Sequence, residues 1–314
     1  MGDKKIRFRI KAGAEPVARQ PLPLSPYDQL RVEFHIEELI HEGKLRKIDT
    51  DREPLPVWAT PVFVVDQEGK GLLGRLVCSY VVLNKNVEKP AFPSADPQRA
   101  FEMAAFKSFH SVVDAIWGYT QFLLDDETKK LLVICTESGL YEWQRMPFGP
   151  APAPAEMQSY VATRFGDLRD RDGNRFVSPC MDDLKVSSTT FEKHVDDMVR
   201  LCEQASKSNL EFKLEKAQFN RESIKFWGYI LDGQGRRLDP KKVDQLKQWP
   251  VPEDQASLNS FLCFVSYLRS HMRPEWVEWE LVLRPFRRKG VDFRALWGSD
   301  PRYQEAFQIG RAHV

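Results

Sequence analysis

Two adjacent aspartates, Asp182 and Asp183, are the residues of this sequence best suited to chemistry. They stand between two short runs of strand-forming residues, R-F-V-S-P at 175–179 and L-K-V at 184–186. This pattern predicts a β-hairpin with the acids at its tip. Two carboxylates held together repel each other unless a cation neutralises them, and magnesium prefers such hard oxygen ligands. The alternative for an isolated Asp-Asp pair is an ordinary solvated turn.

The composition is that of a soluble globular protein and excludes several classes. The 314 residues are 42% hydrophobic and 29% charged, which is enough for two or three subdomains with a sizeable core. The net charge of +1 shows no overall basic excess, so any nucleic-acid surface must come from local clustering. Five cysteines without C-x-x-C spacing argue for a reducing compartment and against a disulfide framework or a zinc site. No apolar run reaches the length of a membrane span, and the N-terminus lacks the apolar core of a signal peptide.

The first third of the chain is predicted to form an arm, a helix and a hairpin. Residues 1–24 are rich in lysine and arginine and resemble an extended basic arm, although a disordered or strap-like terminus fits equally well. Ser25-Pro26 begins a helix, which is predicted to bury an apolar face. That face consists of Leu30, Phe34, Leu39 and Ile40. Residues 58–65 and 75–83 are predicted strands of a hairpin with Lys70 and Arg75 near its tip. Its tip is either a solvated edge or a flap that binds a triphosphate.

Further elements flank the acid pair on both sides. Residues 95–110 are predicted to be helical, and a short strand at 111–114 ends in Asp114. After the acids, T-T-F-E at 189–192 matches a capping box that begins a helix. The apolar stripe of that helix is most simply explained by core packing. The stripe consists of Phe191, Val195, Met198, Val199 and Cys202. Residues 224–231 are predicted to be a strand in which Gly228 marks a bulge or a close backbone approach.

Four motifs occur in a fixed order along the chain. They are V-D-A-I-W-G-Y (113–119), G-L-Y-E-W with M-P-F-G (139–149), C-M-D-D (180–183), and F-W-G-Y followed by D-P-K-K-V (226–243). They are similar to L-D-L-x-x-G-Y, G-x-Y-E-W with M-P-F-G, Y-x-D-D, and F-L-G-x with D-P-x-K-V. This set resembles the reverse transcriptase of gypsy-type LTR retrotransposons and retroviruses. The similarity spans about residues 20–308, including S-F-L at 260–262 and Y-L-R at 267–269.

The resemblance implies an α+β fold of the right-hand polymerase type, in which helices back one face of an antiparallel palm sheet. It implies fingers at residues 25–105 with 126–155 inserted, a palm at 106–125 and 156–238, and a thumb at 239–272. Residues 273–308 would begin the connection to an RNase H domain. The tail I-G-R-A-H-V at 309–314 matches the translation of a common sequencing adapter, so we expect a truncated translation that has lost its RNase H domain.

The resemblance also implies the roles of individual residues. Asp114 and Asp183 would hold two Mg²⁺ ions, with Asp182 beside them and the backbone carbonyl of Ala115 as a further ligand; Mn²⁺ could replace Mg²⁺. A deoxynucleoside triphosphate would be bound by Arg75, Tyr119, Phe148 and Gly149, with Tyr119 as the steric gate against a 2′-hydroxyl. The RNA or DNA template and the primer would contact Cys180, Met181, Trp227, Gly228 and Tyr229.

Three departures from the family pattern concern template and primer handling. Cys180 replaces the usual tyrosine, Pro150 replaces the usual leucine, and C-S-Y-V at 78–81 replaces V-D-Y-R. The sequence therefore predicts a competent metal site with impaired template or primer handling. One alternative is a decayed element that survives as a nucleic-acid-binding module. A metal-dependent nuclease is disfavoured, because the finger and primer-grip motifs would then have no role. The expected location is a retroelement particle in the cytoplasm, or the nucleus, without membrane association.

Overall fold

The chain divides into two compact units, Met1–Glu222 and Ser223–Val314. The computed structural model describes residues 5–67, 69, 71–90, 92, 97–115, 118–180, 183–226, 228–272, 274–288 and 290–312. Across these ranges no helix is long and apolar enough to cross a membrane. The predicted site residues Met181, Asp182 and Trp227, and also Lys70, lie outside the described residues.

The first unit combines helices with several small sheets. Its helices are α1 (Pro26–His41), α2 (Val81–Asn86), α3 (Pro97–Ala104), α4 (Asp126–Leu131), α5 (Ala153–Phe165) and α6 (Phe191–Ser208). Its strands are β1 (Lys5–Ile6), β2 (Leu45–Lys47), β3 (Thr60–Val65), β4 (Arg75–Cys78), β5 (Phe109–Asp114), β6 (Leu123–Leu124), β7 (Ile134–Thr136), β8 (Gly139–Trp143), β9 (Val177–Cys180), β10 (Asp183–Ser188) and β11 (Gln218–Arg221).

The sheet that positions the acids has the strand order β11-β5-β10-β9, and all its pairs are antiparallel. The predicted acid hairpin is β9–β10, in which Asp183 pairs with Cys180. Helix α6 lies on one face, where its His194 meets Ser111. Helix α3 lies on the other, where the Ser178 hydroxyl meets the sulfur of Met103. Helices thus cover both faces of the sheet, whereas the resemblance implied helices on one face only. The α+β class itself agrees with the structure.

A second sheet, with the order β2-β8-β7-β3-β4, carries the predicted β3–β4 hairpin. Antiparallel β3 and β4 pair from Val62–Cys78 to Val65–Arg75. The N-terminal segment packs on this unit as a strap, since β1 pairs with β6 and both Ile6 and Phe8 are buried. One apolar core therefore joins the strap, the two sheets and α5.

Two helices bury a different face from the one that the apolar pattern predicts. In α1, Leu30, Phe34 and Ile40 are exposed, whereas Val32, Ile36 and the charged Arg31 are buried. In α6, the side chains of Phe191, Val195, Val199 and Cys202 are exposed. The buried face of α6 instead consists of His194, Asp197, Leu201, Ala205 and Ser208. The core-packing prediction for the α6 stripe was wrong for the four exposed residues, and of the stripe only Met198 packs, partly buried, against the core. Hydrogen bonds to the sheet stabilise the polar face that is buried instead.

Other predicted boundaries also need correction. The strand expected at 75–83 ends at Cys78 and is followed by α2, and the helix expected at 95–110 ends at Ala104. A positive φ of 62° at Phe106 breaks that helix, so β5 starts two residues before the predicted strand. Helix α6 is capped by Thr190, whose side chain accepts the Lys193 N–H, rather than by Thr189.

The second unit is a β-meander followed by a helical bundle. Its strands are β12 (Ser223–Phe226), β13 (Tyr229–Asp232) and β14 (Gly235–Leu238). Its helices are α7 (Pro240–Lys247), α8 (Gln255–Leu268), α9 (Trp276–Val282), α10 (Phe293–Ser299) and α11 (Pro301–Ala312). The core of the bundle includes Phe261, Leu262, Trp276, Phe286 and Phe307. The prediction of one strand at 224–231 was wrong, because Phe226 pairs with Tyr229 across a tight turn.

Candidate active site

Asp114 and Asp183 meet across neighbouring strands. Asp114 is the last residue of β5, Asp183 is the first residue of β10, and the two form a directly opposed pair in the antiparallel register. Opposed residues have Cβ atoms about 4.5–5.5 Å apart, and like charges at such a distance destabilise a sheet. Both side chains are half-buried. The fold therefore creates the carboxylate pair that the sequence could only suggest.

The chemistry of this donor set fits a divalent cation. Two half-buried carboxylates supply hard oxygen ligands, and a cation between them would remove their mutual repulsion. Within the described ranges no group of three histidine, cysteine or acidic side chains comes together, and the third predicted acid, Asp182, lies outside them. The backbone of Ala115 continues β5 into an isolated bridge with Phe212. Asp114, Asp183 and Ala115 thus share one end of the sheet.

A buried polar network fastens the acid-bearing strands to α6. His194 Nε2 lies 2.7 Å from Ser111 Oγ, and His194 Nδ1 lies 3.1 Å from Ser188 Oγ. The Ser188 hydroxyl donates to Asp197 Oδ2 at 2.7 Å, and Ser111 Oγ accepts the Asn220 N–H at 3.0 Å. Because the one Ser188 proton goes to Asp197, His194 must donate from Nδ1 and accept from Ser111 at Nε2. One donor nitrogen and one acceptor nitrogen are what a neutral imidazole provides.

The ionisation of this network follows from its burial. Burial lowers the pKa of His194. Burial also raises the pKa of Asp197, while the hydrogen bond from Ser188 acts in the opposite direction. Sequence reasoning missed both residues, because they lie on a helix interpreted by its apolar stripe. The available signal was a serine on each facing strand, Ser111 and Ser188, which could hydrogen-bond a polar helix face.

Lys185 is a third residue that sequence reasoning missed. Its position two residues after Asp183 on β10 places it on the same face of the sheet, where it pairs with Val112 and Ser178. The side chain is only 1% exposed, and its burial lowers the pKa of the ammonium group to about 7. The signal in the sequence was a lysine between two apolar residues, Leu184 and Val186.

Three predicted nucleotide-binding residues come together from distant parts of the chain. The guanidinium carbon of Arg75, at the start of β4, lies 5.1 Å from the centre of the Phe148 ring. The Tyr119 ring meets the same Phe148 ring edge-on, with 4.9 Å between the ring centres. Phe148 remains 40% exposed, so the cluster is open to solvent. A cation and two aromatic rings here could receive an anionic, planar ligand.

Gly149 follows Phe148 in a conformation that suits glycine. Its φ is +109°, and a Cβ at this position would lie 3.1 Å from the ring of Tyr80. Asn84, on α2, holds the loop from both sides. Its side-chain amide donates to the Gly149 carbonyl at 3.0 Å, and its side-chain oxygen accepts the Ala151 N–H at 2.7 Å. Asn84 is therefore a supporting residue of the cluster, and the sequence analysis did not identify it.

Replacing Asn84 with alanine is expected to loosen the loop and lower the free energy of unfolding by about 1–2 kcal/mol, because both hydrogen bonds are lost. Amide exchange of residues 148–151 should accelerate about tenfold, as measured by mass spectrometry. Asn86→Ala is the matched control, since the Asn86 side chain bonds only to Val82 of the same helix among the described residues. Equal exchange in both variants would contradict this role.

The predicted primer-contacting residues fall in different places. Cys180 is the last residue of β9, next to Asp183 in the register. Gly228 and Tyr229 lie in the second unit, where Gly228 has a φ of +69° and Tyr229 is buried. The Tyr229 hydroxyl donates to the Tyr267 carbonyl at 3.3 Å, and a Cβ on Gly228 would lie 3.1 Å from the Tyr267 hydroxyl. The atoms nearest that position belong to the side chains of Tyr267 and Lys242, so the predicted close approach of another backbone at Gly228 is not confirmed.

Comparisons with known proteins agree with this geometry. Residues 78–231 match the family model described as reverse transcriptase (RNA-dependent DNA polymerase). The chain is 25% identical, over 95% of its length, to a retrovirus-related Pol polyprotein from transposon 297 of Drosophila melanogaster. It is 24% identical, over 85% of its length, to an enzymatic polyprotein of cauliflower mosaic virus. It spans only 27% and 39% of these two relatives.

The fold is also that of a solved polymerase structure. The foamy viral protease-reverse transcriptase in complex with an RNA/DNA hybrid superposes with a TM-score of 0.72. The match has 18% sequence identity and covers 96% of this chain and 39% of the other. At this identity the similarity concerns the fold alone. It confirms the right-hand polymerase architecture predicted from the motifs.

Proposed function

Because residues 78–231 match the reverse transcriptase family model, we propose that this chain synthesises DNA on an RNA or DNA template as part of a longer retroelement polyprotein. The observation that carries the proposal is the opposed pair of Asp114 and Asp183 at one end of the central sheet. Phosphoryl transfer needs positioned charge and little covalent chemistry from the protein. A carboxylate pair on two rigid strands suits that requirement, whereas a nucleic-acid-binding module would not need it.

Enzymes of this family use divalent metal ions, and here Asp114, Asp182 and Asp183 would hold two Mg²⁺ ions, with the Ala115 carbonyl beside them. Such ions supply activation of the primer 3′-hydroxyl and stabilisation of the leaving pyrophosphate. The protein contributes a fixed spacing between carboxylates, set by the β5–β10 register. It also shields one side of the site, because α3 covers the sheet face that carries Asp183. Mn²⁺ is expected to substitute for Mg²⁺.

The substrate would be a deoxynucleoside triphosphate bound at Arg75, Tyr119, Phe148 and Gly149. The support is the contact of the Arg75 guanidinium and the Tyr119 ring with one exposed ring, that of Phe148. Arginine presents a planar fork of donors that matches phosphate oxygens. Tyr119 would stand beside the sugar and exclude a 2′-hydroxyl.

The partners would be an RNA or DNA template with its primer, and the RNase H domain of the same polyprotein. In support, the foamy viral relative is described in complex with an RNA/DNA hybrid. Cys180, Met181, Trp227, Gly228 and Tyr229 would contact the primer strand. We assign the fingers to 25–105 and 126–155, the palm to 106–125 and 156–238, and the thumb to 239–272. Residues 1–24 and 273–308 would flank these as arm and connection, and the protein would act in cytoplasmic particles or the nucleus.

Primer extension on a poly(rA)–oligo(dT) duplex with Mg²⁺ or Mn²⁺ tests the proposal. Extension by the wild-type chain that is lost in an Asp182→Asn, Asp183→Asn double variant would establish the polymerase. Absence of extension by the wild type, with duplex binding retained, would overturn it. That outcome would favour the second candidate, a decayed nucleic-acid-binding module. The residues that depart from the family pattern, Cys180, Pro150 and C-S-Y-V at 78–81, favour that alternative.

Exchange of Tyr119 for valine is expected to weaken the discrimination between deoxyribonucleotides and ribonucleotides by a factor on the order of ten to a hundred. The reason is that the half-buried ring beside Phe148 is removed. The ratio of kcat/KM for dTTP and UTP on the same duplex measures the effect. Tyr119→Phe is the control, because it keeps the ring. A Tyr119→Val enzyme with wild-type discrimination would rule out the gate.

A further inference from the structure

Arg31 is a buried charged residue on a helix that carries no predicted chemistry. It lies on α1, and the residue is only 7% exposed. Its guanidinium reaches Asp66 Oδ1 at 2.6 Å and Asp28 Oδ1 at 3.0 Å. Two acids thus compensate one buried cation. Hydrogen bonding to the Asp66 carboxylate raises the pKa of Arg31, so this group stays charged.

The contacts of Arg31 join both ends of the connection between β3 and β4. Asp66 directly follows β3, and the Leu73 carbonyl, 3.4 Å from Arg31 Nε, stands two residues before β4. The last pair of the hairpin is Val65–Arg75, so the bonded ends flank it. One guanidinium therefore determines where the connection leaves the first strand and where it enters the second.

Gly74 shows how closely this arrangement fits. The residue has a φ of +61°, a conformation that favours glycine. A Cβ at this position would overlap Arg31 Nη2 and the Val65 carbonyl oxygen. Because Gly74 has no side chain, the Arg31 guanidinium can occupy the space beside it. Gly74 is also the residue immediately before Arg75, so the geometry of this cluster sets the direction in which β4 begins.

Other side chains of α1 reach the same connection. The Tyr27 hydroxyl donates to the Leu72 carbonyl at 3.3 Å, and His35 Nε2 lies 3.2 Å from the Leu73 carbonyl oxygen. Arg31 also lies over the Tyr27 ring, 5.2 Å from its centre. Helix α1 therefore supports the connection at several adjacent points, with Arg31 at the buried centre.

We infer that Arg31 is a positioning residue for nucleotide binding, because it holds the β3–β4 connection so that Arg75 lies over Phe148. This inference rests on the proposed function, in which Arg75 receives the triphosphate. Arg31 itself is buried behind the connection and would not touch the nucleotide. Without these bonds the β3–β4 connection would be mobile, and Arg75 would occupy several positions. The position 5.1 Å from the centre of the Phe148 ring would then be only one of them. A nucleotide would then have to order the hairpin as it binds, which weakens its affinity.

The test compares Arg31→Lys, Asp66→Asn and the double variant. Lysine keeps the charge but cannot bond two acids and a carbonyl in fixed directions. The Asp66 side chain is 91% exposed, so its replacement does not threaten folding. In primer extension we expect each single variant to raise the KM for dNTP about fivefold and to leave kcat within about twofold of the wild type. The KM of the double variant should be close to that of either single variant, because both changes break the same interaction. Asp51→Asn, a change at another exposed aspartate, is the control and should leave both constants unchanged.

A second measurement does not depend on polymerase activity. Hydrogen exchange of the free protein should accelerate about tenfold across residues 71–78 in both single variants, with the rest of the chain unchanged. Uniformly faster exchange and a lower Tm would overturn the inference, because Arg31 would then only fasten α1 to the sheet. Unchanged exchange, or faster exchange with an unchanged KM, would overturn it as well. A wild-type chain without extension would refute the proposed function, and exchange would still decide whether Arg31 holds the connection.

Discussion

Asparagine in place of Asp183 is expected to slow primer extension about a thousandfold, equivalent to about 4 kcal/mol of transition-state stabilisation. The asparagine side chain has the same size as aspartate but lacks the negative charge that lies opposite Asp114 in the β5–β10 pair. Binding of the template–primer duplex should stay within about twofold, because the change removes no cationic contact. Asp114→Asn is expected to behave in the same way, and the double variant should be little worse than either single variant, since the two residues act as a unit.

A stability measurement separates this charge effect from misfolding. Without metal, Asp183→Asn should raise the free energy of unfolding by roughly 0.5–1 kcal/mol, because it relieves the repulsion between opposed carboxylates. Added Mn²⁺ should stabilise the wild type and have little effect on the variant. Asp244→Asn, at an exposed position of α7, is the matched control for both assays. Wild-type extension rates in Asp183→Asn would remove the acid pair from the mechanism.

Replacing Lys185 with methionine is expected to stabilise the protein at neutral pH. The wild-type ammonium is buried, and burial lowers its pKa from 10.5 to about 7. Between these values the unfolded chain binds a proton that the folded chain does not, so stability falls as the pH decreases from about 10 to about 7. The loss over this range is on the order of 4 kcal/mol, at 1.36 kcal/mol for each pH unit. Methionine fills a similar space without the charge.

Urea unfolding at several pH values measures this effect. The free energy of unfolding of the wild type should fall as the pH is lowered towards 7. In Lys185→Met this fall should be smaller, because the contribution of Lys185 is absent. Lys207→Met, at an exposed position of α6, is the control and should retain the wild-type pH dependence. The same slope in Lys185→Met as in the wild type would show that the ammonium is not desolvated in the folded state.

The acid hairpin could be predicted because its signal is local. Strand formers on both sides of Asp182-Asp183 suffice to predict β9 and β10, and the structure has both. The pairing of Asp183 with Asp114 could not be derived in this way, because it depends on a register between strands about 70 residues apart. Only the ordered motifs supplied that information. The meeting of Arg75, Tyr119 and Phe148 likewise depends on tertiary structure.

The buried faces of α1 and α6 could not be predicted, for a different reason. Hydrophobic periodicity identifies the inward face of a helix only when that face is apolar. Here the inward faces contain Arg31, His194 and Asp197, each compensated by hydrogen bonds or ion pairs from another element. These partners lie 35 to 83 residues away along the chain in the case of Arg31–Asp66 and His194–Ser111. A local pattern cannot reveal such distant partners, whereas Ser188, which bonds Asp197, lies only nine residues away and was an available signal.

The inverted α6 has a consequence for how the chain folds. Its apolar ridge of Phe191, Val195 and Val199 faces solvent, while His194 and Asp197 face the sheet. During collapse, we expect this ridge to compete with the polar face for contact with β5 and β10, so a rotated helix is an alternative docking. In the correct docking Ser111 donates to His194 Nε2, and Ser188 accepts from His194 Nδ1 and donates to Asp197. These hydrogen bonds favour the correct docking of α6. We therefore expect the unit to refold more slowly than the wild type when both serines are replaced by alanine.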